Sequence, residues 1–269
     1  MKIALVRPNM GNYRSTDAMP PLAMGILAAR ATGHQIVFYD DRVEPVPDEL
    51  NVDLVALSVE TFTARRAYQL SDQFRKEGIR VVMGGYHPTF LPDEALQHAD
   101  AIVVGDAEGI WERLLFDAQA GTLQRIYKGN VQAELTDYQI DRSIFSDKPY
   151  APVQLIQYSR GCRFVCDFCS IHKFYGSTVR VRPAEQIRLE LETLNRKRLL
   201  FFVDDNLFSS DEQLDILLTT IKPFNLRWSC QISIDIASNL PLLDRLADAG
   251  CMYVLIGFES MEQKNLLQM

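Results

Sequence analysis

Short apolar runs alternate with segments of helical periodicity along most of the chain, and this alternation restricts it to folds built on parallel sheets. In the first part of the chain the apolar runs are almost continuous, as expected of strands covered on both faces. They span residues 3–8, 35–40, 53–60, 80–84 and 101–105. Helical patterns separate them at 22–32, 64–77, 92–98 and 109–120. We therefore predict that residues 1–121 form an open, doubly wound α/β domain.

The second half of the chain repeats the alternation after a less regular stretch. Residues 122–152 carry scattered glycine, aspartate and proline without a periodic pattern, and are predicted to be a connector. Four strand–helix steps follow, with strands at 153–158, 199–203, 227–236 and 252–257 and helices at 184–196, 211–221 and 241–249. We expect a partial (β/α) barrel over residues 153–269, and a flavodoxin-like strand order in the first domain.

Composition excludes several classes of partner. The 269 residues include 35 acidic and 28 basic side chains, and the net charge of −7 gives no general attraction to nucleic acid or to an anionic membrane. No run approaches the roughly 18 apolar residues of a transmembrane helix, and the first apolar run is too short for a signal peptide. We expect a cytoplasmic protein with no nucleic-acid partner and no transmembrane segment.

Three of the five cysteines, Cys162, Cys166 and Cys169, lie within eight residues. They follow the first strand of the second domain, where α/β folds place their chemistry. Three thiolates at this spacing can hold three irons of a cubane and leave the fourth iron without a protein ligand. Three other interpretations stay open: a helix face packed in the core, a Cys3His zinc site completed by His172, and a dithiol redox pair.

An aromatic residue, Phe168, precedes the last cysteine, and the loop resembles the signature loop of radical S-adenosylmethionine (SAM) enzymes. The resemblance implies that Cys162, Cys166 and Cys169 bind a 4Fe–4S cluster, and that the amino and carboxylate groups of SAM chelate the open iron. Phe168 would then lie against the adenine. No side chain is identified as a catalytic acid or base.

The ends of the next three predicted strands carry polar residues in an order that resembles the same family. Phe-Val-Asp-Asp-Asn at 202–206 resembles the motif that receives the SAM amino group, which makes Asp204 and Asp205 candidates. Gln231, Ser233 and Glu259 resemble further SAM-contacting positions. Taken one at a time, these residues fit a helix cap, metal ligands or the polar face of a strand nearly as well.

Loops of the first domain combine glycine with polar residues at the predicted strand ends. Glycine lets the backbone approach a bulky ligand and leaves amide groups free to bind it. The loops include Pro-Pro-Leu at 20–22, Ser-Val-Glu-Thr at 58–61 and Gly-Gly-Tyr-His-Pro-Thr at 84–89. With these strings the domain resembles the N-terminal domains of cobalamin-dependent radical SAM enzymes, and the resemblance assigns His87 to the nucleotide side of the cofactor. The residues that the resemblance assigns to cobalamin are Ser58, Glu60, Thr61, Gly84, Gly85, His87, Thr89, Gly105, Asp106 and Glu108.

The segment after the first strand departs from that resemblance. Many cobalamin domains carry Asp-x-His-x-x-Gly there, and this histidine ligates cobalt, whereas residues 7–12 read Arg-Pro-Asn-Met-Gly-Asn. We therefore expect cobalamin to bind without a histidine ligand, with its lower face met by a residue such as Glu60, Thr61 or Phe62. The alternative is a domain that has kept the fold and lost the cofactor.

Taken together, the resemblance implies a cobalamin-dependent radical SAM enzyme. Its reduced cluster would cleave SAM to methionine and a 5′-deoxyadenosyl radical, for methylation or rearrangement of an unactivated carbon. The implied partners are a small-molecule or lipid-like substrate and an electron donor such as flavodoxin or ferredoxin. Two alternatives stay open: a radical SAM enzyme with a vestigial cobalamin domain, and a non-enzymatic zinc- or cluster-binding module.

The end of the sequence carries one further expectation. Residues 261–269 form an amphipathic run without a capping glycine or proline, and only four strand–helix steps precede it. We expect a barrel that is truncated at its C-terminus, in which the strand at 252–257 exposes apolar surface along an unpaired edge.

Overall fold

The computed structural model of the protein describes residues 1–11 and 13–266. The chain divides into two compact units. The first comprises Met1–Ala133 and Gln139–Ala151, and the second comprises Glu134–Tyr138 and the chain from Pro152 onward. Each unit is built around its own parallel sheet.

The sheet of the first unit has six strands. They are β1 (Lys2–Arg7), β2 (Gln35–Asp40), β3 (Leu54–Ser58), β4 (Arg80–Gly84), β5 (Ala101–Val104) and β6 (Ile126–Lys128). All neighbours pair in parallel, in the order β2-β1-β3-β4-β5-β6. The predicted doubly wound domain and its flavodoxin-like strand order are confirmed.

Helices cover both faces of this sheet. They are α1 (Leu22–Ala29), α2 (Ala64–Lys76), α3 (Tyr86–Phe90), α4 (Pro92–His98) and α5 (Trp111–Ala120). On one face, Leu70 and Phe74 of α2 pack in a cluster with Ala4 and Val6 of β1. On the other, α5 packs in a cluster with the alternate β1 residues, because successive side chains of a strand point to opposite faces. Burial on both faces explains the continuous apolar runs in the sequence.

The predicted connector, residues 122–152, is not irregular throughout. β6 lies within it and extends the sheet at the β5 edge. Tyr127 is buried in the core, and its hydroxyl donates to Asp117 Oδ2 at 3.0 Å. A three-residue strand with one inward side chain has no periodicity to detect, so the sequence pattern could not reveal it.

Within its described residues, the second unit contains six strands of 2 to 5 residues. They are β7 (Val153–Ile156), β8 (Ser159–Arg160), β9 (Arg180–Val181), β10 (Leu199–Phe202), β11 (Trp228–Gln231) and β12 (Cys251–Leu255). Four of them form a parallel sheet in the order β12-β11-β10-β7, while β8 and β9 pair as an antiparallel ribbon. The predicted partial (β/α) barrel is confirmed.

The helices of the second unit follow the strands as expected. They are α6 (Ser170–Tyr175), α7 (Ala184–Thr193), α8 (Asp211–Ile221), α9 (Leu240–Asp248) and α10 (Gln263–Leu266). The apolar faces of α7, α8 and α9 close over a core that contains Phe202 and Trp228, whose rings meet edge to face at 5.3 Å. β11 is shorter than predicted, because the chain turns into a 3-10 helix at Ile234–Ser238.

The edge strand β12 carries exposed apolar side chains. Met252, Tyr253 and Leu255 are each more than half exposed, as expected for this strand. Residues 267–269, the end of the predicted amphipathic run, lie outside the described residues, as does Asn12. No helix within residues 1–11 and 13–266 combines the length and the apolar character that crossing a membrane requires.

Candidate functional site

The three clustered cysteines lie on one loop beyond the carboxyl end of β7. β8 and β9 pair in an antiparallel register, Ser159 with Val181 and Arg160 with Arg180, and so close the base of this loop. Gly161 begins the loop with a φ of +93°, and a Cβ there would lie 2.2 Å from the Thr178 carbonyl oxygen. The close approach of the two chains therefore requires glycine at the point where the loop leaves β8.

Asp204, which follows β10, holds the chain that leads into the loop. Its carboxylate accepts hydrogen bonds from the backbone N–H groups of Tyr158 (3.2 Å) and Ser159, and from Ser159 Oγ at 2.6 Å. The side chain is only 2% exposed. Burial raises the pKa of Asp204 to about 6, while the hydrogen bonds from Ser159 and Tyr158 act in the opposite direction. The sequence-based assignment of Asp204 to the SAM amino group is not supported, because its oxygens are already engaged inside the fold.

Asp205 differs from Asp204 in position. It is half-buried, and its Oδ2 accepts the Gly161 N–H at 2.9 Å. Gln231 at the end of β11 donates from Nε2 to the Asp205 carbonyl oxygen at 3.3 Å, and its side chain is exposed. Because parallel strands end at the same edge, the ends of β7, β10 and β11 bring Asp205 and Gln231 beside the start of the cysteine loop.

The three thiols themselves are free and half-buried. Burial raises the pKa of Cys166, and the neighbouring Cys169 and Cys162 raise it further because like charges oppose ionisation. A cationic group bound between the sulfurs would relieve both effects, and thiolates are the donors that iron–sulfur clusters use. Within the described part of the chain, no three histidine, cysteine, aspartate or glutamate side chains are gathered closely enough to hold a single metal ion.

Two predicted SAM-contacting residues are open to solvent near the thiols. Phe168 is 54% exposed on the cysteine loop. Glu259 follows β12 with a positive φ of 56° and an exposed side chain. Its charge also raises the pKa of Cys166, so the carboxylate and the thiol lie within electrostatic range of each other.

Sequence analysis missed a set of polar contacts around Cys162. Asn206 Nδ2 lies 3.7 Å from Cys162 Sγ and 3.1 Å from Ser233 Oγ. Ser233 Oγ in turn donates to Asp235 Oδ1, and Asp235 pairs with Arg163. Asn206 is the last residue of the Phe-Val-Asp-Asp-Asn motif at 202–206. Every second residue of this motif, Phe202, Asp204 and Asn206, is buried. That alternation is the sequence signal from which an inward-facing Asn206 could have been predicted.

In the first unit, glycines bring three loops together at the carboxyl edge of the sheet. Gly85, after β4, has a φ of +108°, and a Cβ there would lie 2.7 Å from the Val59 carbonyl oxygen. Gly105 after β5 also has a positive φ, and Gly129 after β6 passes so close to Asp106 that no side chain fits. Gly84 ends β4, and the neighbouring Asp106 and Glu108 are half-buried.

Two residues assigned to cobalamin are instead engaged within the unit. His87 is 3% exposed, and its Nε2 is hydrogen bonded to the Tyr68 hydroxyl at 2.7 Å. Thr89 Oγ1 donates to the Gly85 carbonyl at 2.8 Å and accepts the Gly105 N–H at 3.0 Å, and so ties two loops together. The structure does not support a contact between His87 and the cofactor's nucleotide, because α3 turns the ring towards α2.

The loop after β3 is the more open part of this edge. Ser58 ends the strand, and Glu60 pairs with Arg7 at 3.3 Å. Thr61 and Phe62 project into solvent. A cavity of about 310 Å³ lies nearby, against the first turn of α2, and is lined by Met10, Gly11, Arg65, Arg66 and Gln69.

Each of the three histidines of the first unit is engaged in a contact within the unit. His34 contacts the amino group of Met1 at the opposite edge of the sheet, and His98 pairs with Asp72 while its ring stacks on Tyr68. His87 is buried, as described above. Of these three described histidines, only His87 follows a strand at the carboxyl edge, and its ring is buried, so none is exposed there as an axial ligand.

Comparisons with known proteins match both units. A family model described as the B12 binding domain matches residues 17–115, and one described as the radical SAM superfamily matches residues 156–269. Bacteriochlorophyllide d C-8(2)-methyltransferase of Chlorobaculum tepidum is 32% identical over 91% of this chain and 58% of its own length. The C-12(1)-methyltransferase of the same organism is 29% identical over 100% of this chain and 62% of its own.

A solved structure has the same fold. TsrM of Kitasatospora setae, a radical SAM methyltransferase, superposes with a TM-score of 0.73 and 16% identity over 98% of this chain and 60% of its own. The chain thus spans about three fifths of the length of each of these three relatives. The N-terminal domain of this chain thus belongs to the B12-binding domain family, and the domain that follows it belongs to the radical SAM superfamily.

Proposed function

We propose that this chain forms the cofactor-binding part of an enzyme that cleaves SAM reductively and methylates an unactivated carbon. The observation that carries the proposal is the loop of three free thiols, held beyond the carboxyl end of a parallel sheet by the two adjacent carboxylates of Asp204 and Asp205. We place the cobalamin-binding domain at residues 1–121 and the radical SAM domain at 153–269.

Cys162, Cys166 and Cys169 are the residues that would hold the 4Fe–4S cluster. When bound, the cluster supplies one electron to SAM, which then yields methionine and a 5′-deoxyadenosyl radical. Asp205, rather than the buried Asp204, is positioned to receive the SAM amino group at the rim. Gln231, Ser233 and Glu259 complete the polar lining, and the exposed ring of Phe168 is available to stack on the adenine.

The loops of the first unit would hold cobalamin. Gly85 and Gly105 keep side chains away from the carboxyl edge, where a bulky ring system can approach the backbone. Thr61 and Phe62 are exposed beside this edge, and Glu60 lies next to them. We infer that one of these residues, and not an imidazole, faces the lower side of the corrin.

The names of the relatives support methylation of a polycyclic, largely apolar substrate. They include two bacteriochlorophyllide d methyltransferases and a hopanoid C-2 methylase from Rhodopseudomonas palustris, 24% identical over 90% of this chain. Around the cysteine loop, Val165, Phe168 and Phe258 expose apolar surface of a kind that such a substrate would cover. A protein electron donor such as flavodoxin or ferredoxin is the reductant that we propose.

The test is anaerobic reconstitution with iron and sulfide, followed by incubation with SAM and dithionite. We expect 5′-deoxyadenosine and methionine in equal amounts, measured by liquid chromatography and mass spectrometry. A preparation that holds about four irons per chain and still leaves SAM intact would contradict the proposal.

A further inference from the structure

Asn206 is a buried amide that lies directly beside one of the three thiols. It follows β10, is 3% exposed, and has its side chain fixed at both ends. Its Oδ1 accepts the backbone N–H of Phe208 at 3.2 Å. Because the Phe208 N–H can only donate, the oxygen of the amide must lie on that side and the nitrogen on the other.

The nitrogen of Asn206 therefore faces Cys162. Nδ2 lies 3.7 Å from Cys162 Sγ, within hydrogen-bonding distance of a sulfur, and 3.1 Å from Ser233 Oγ. The two N–H groups of the amide thus have one acceptor each. An amide fixed in this way cannot rotate to present its oxygen to the sulfur without losing all three contacts.

The two groups that accept hydrogen bonds from Asn206 are linked to each other by further contacts. Ser233 Oγ donates to Asp235 Oδ1 and is therefore left as an acceptor for Asn206. Asp235 pairs with Arg163, the residue next to Cys162. The guanidinium of Arg163 lies over the rings of Phe164 and Phe208, at 4.5 Å and 4.7 Å from their centroids. The contacts thus run from Cys162 through Asn206, Ser233 and Asp235 back to the neighbour of Cys162.

We propose that Asn206 is a positioning residue that donates a hydrogen bond to the Cys162 thiolate and thereby sets the reduction potential of the 4Fe–4S cluster. The inference rests on the proposed function, because it takes Cys162 as a cluster ligand. One-electron reduction adds a negative charge to the cluster and its thiolates, and an N–H group aimed at a sulfur stabilises that added charge. Asn206 therefore makes the potential less negative than three thiolates alone would allow.

The experiment compares midpoint potentials of the reconstituted chain and its variants in the absence of SAM. The potential is measured by dithionite titration followed by electron paramagnetic resonance, with iron content measured on the same samples. Asn206→Leu removes the donor without adding charge, and we expect the equilibrium constant for one-electron reduction to fall about tenfold, a shift of about 59 mV to more negative potential. Asn206→Asp keeps an acceptor for the Phe208 N–H, and we expect a shift at least as large.

Asn239→Asp is the matched control. Its side chain also accepts a backbone N–H, from Leu242 at 3.1 Å at the start of α9, and belongs to the same unit. This control should keep the wild-type potential and iron content. Unchanged potentials in both Asn206 variants overturn the inference, as does a shift in Asn206→Asp alone, since that would report added charge. Loss of iron from both variants also overturns it, because Asn206 would then act on loop structure.

The two proposals fail in different ways. A wild-type chain that takes up no iron–sulfur cluster contradicts the proposed function and this inference together. A wild-type chain with about four irons and a potential that Asn206→Leu leaves unchanged contradicts this inference alone.

Discussion

The two units hold the loops at the carboxyl ends of their strands by different means. In the first unit, the loops meet through glycines: Gly85 lies against Val59, and Gly129 crosses the chain at Asp106. In the second unit, carboxylates hold the loops, because Asp204 and Asp205 accept backbone N–H groups from residues 158–161. The first arrangement depends on the absence of side chains, and the second on buried charge.

This difference predicts different sensitivities. Contacts between backbone atoms do not titrate, so the glycine-mediated loop contacts of the first unit should respond to added side-chain volume and hardly to pH. Asp204 is a buried ionisable group, so the second unit should respond to charge and to pH. The same contrast suits the cofactors we propose, since a corrin needs room beside the backbone and a cluster needs fixed thiolates.

The largest effect is expected at the cysteine loop. Cys166→Ala removes one of the three proposed cluster ligands and should abolish both the bound cluster and SAM cleavage. Cys251→Ala is the matched control, because Cys251 is a half-buried cysteine on β12, outside the loop. The measurement is iron per chain after anaerobic reconstitution. A full complement of iron in Cys166→Ala would show that this thiol is not a ligand.

The second effect is a pH dependence at Asp204. Its pKa of about 6 in the folded protein lies above the value of roughly 3.9 for an unfolded chain, so the folded state binds more protons between these values. Stability is therefore lost as the pH rises from about 4 to about 6. A difference of roughly two pH units corresponds to at most about 3 kcal/mol of unfolding free energy.

Asp204→Asn cannot ionise and should not show this dependence. We expect the unfolding free energy of the wild type, relative to that of the variant, to fall by up to about 3 kcal/mol between pH 4 and pH 7. Urea denaturation of the apoprotein at both pH values measures it. Asp244→Asn, an exposed change on α9, serves as the control. A difference in unfolding free energy between the wild type and Asp204→Asn that stays constant across this pH range would contradict the account of Asp204.

The third effect concerns volume at the first unit's edge. Gly85→Ala adds a Cβ at 2.7 Å from the Val59 carbonyl oxygen, at a φ of +108°. We expect a loss of about 1–3 kcal/mol from backbone strain alone, with weaker cobalamin binding and unchanged iron content. Gly78→Ala has a similar φ of +81° but no atom within 4 Å of the added Cβ, so it reports strain without crowding. Equal losses of cobalamin affinity in both variants would show that crowding at Gly85 is irrelevant.

The smallest expected effect is spectroscopic. The described histidines of the first unit are engaged within it, and the one that follows a strand at the carboxyl edge, His87, is buried. Bound cob(II)alamin should therefore show no nitrogen superhyperfine splitting from a protein imidazole. Electron paramagnetic resonance of the reduced, cobalamin-loaded chain measures it. Nitrogen splitting that persists after the cofactor's own benzimidazole base is displaced from the cobalt would mean that a histidine of the protein binds the cobalt.

Sequence pattern predicted the sheets well because their strands are buried apolar runs. β2 and β4 have the predicted bounds, and β1, β3 and β5 differ by only a few residues at their ends, whereas β6 was not predicted. β8 and β9 were missed, since two-residue strands carry no periodicity. β11 was predicted too long because Ile232, Ile234 and Ile236 continue an apolar alternation through a turn.

The side-chain roles were harder to predict than the strands. Asp204 and Asp205 are adjacent and chemically identical, and only the pleat, which turns Phe202, Asp204 and Asn206 inward together, separates a buried anchor from a group at the rim. His87 lies in a glycine-rich sequence typical of an exposed loop. Its burial depends on Tyr68, a residue on another helix that no local pattern relates to it.

The central claim is that one chain carries a thiolate-bound cluster and a histidine-free cobalamin domain, and metal and corrinoid analysis of the reconstituted protein tests it most directly. The account predicts about four irons per chain, no stoichiometric zinc, and one cobalamin per chain by absorbance. One zinc and no iron would contradict the assignment of the cysteine loop. Four irons with no cobalamin under any condition would contradict the assignment of the first domain.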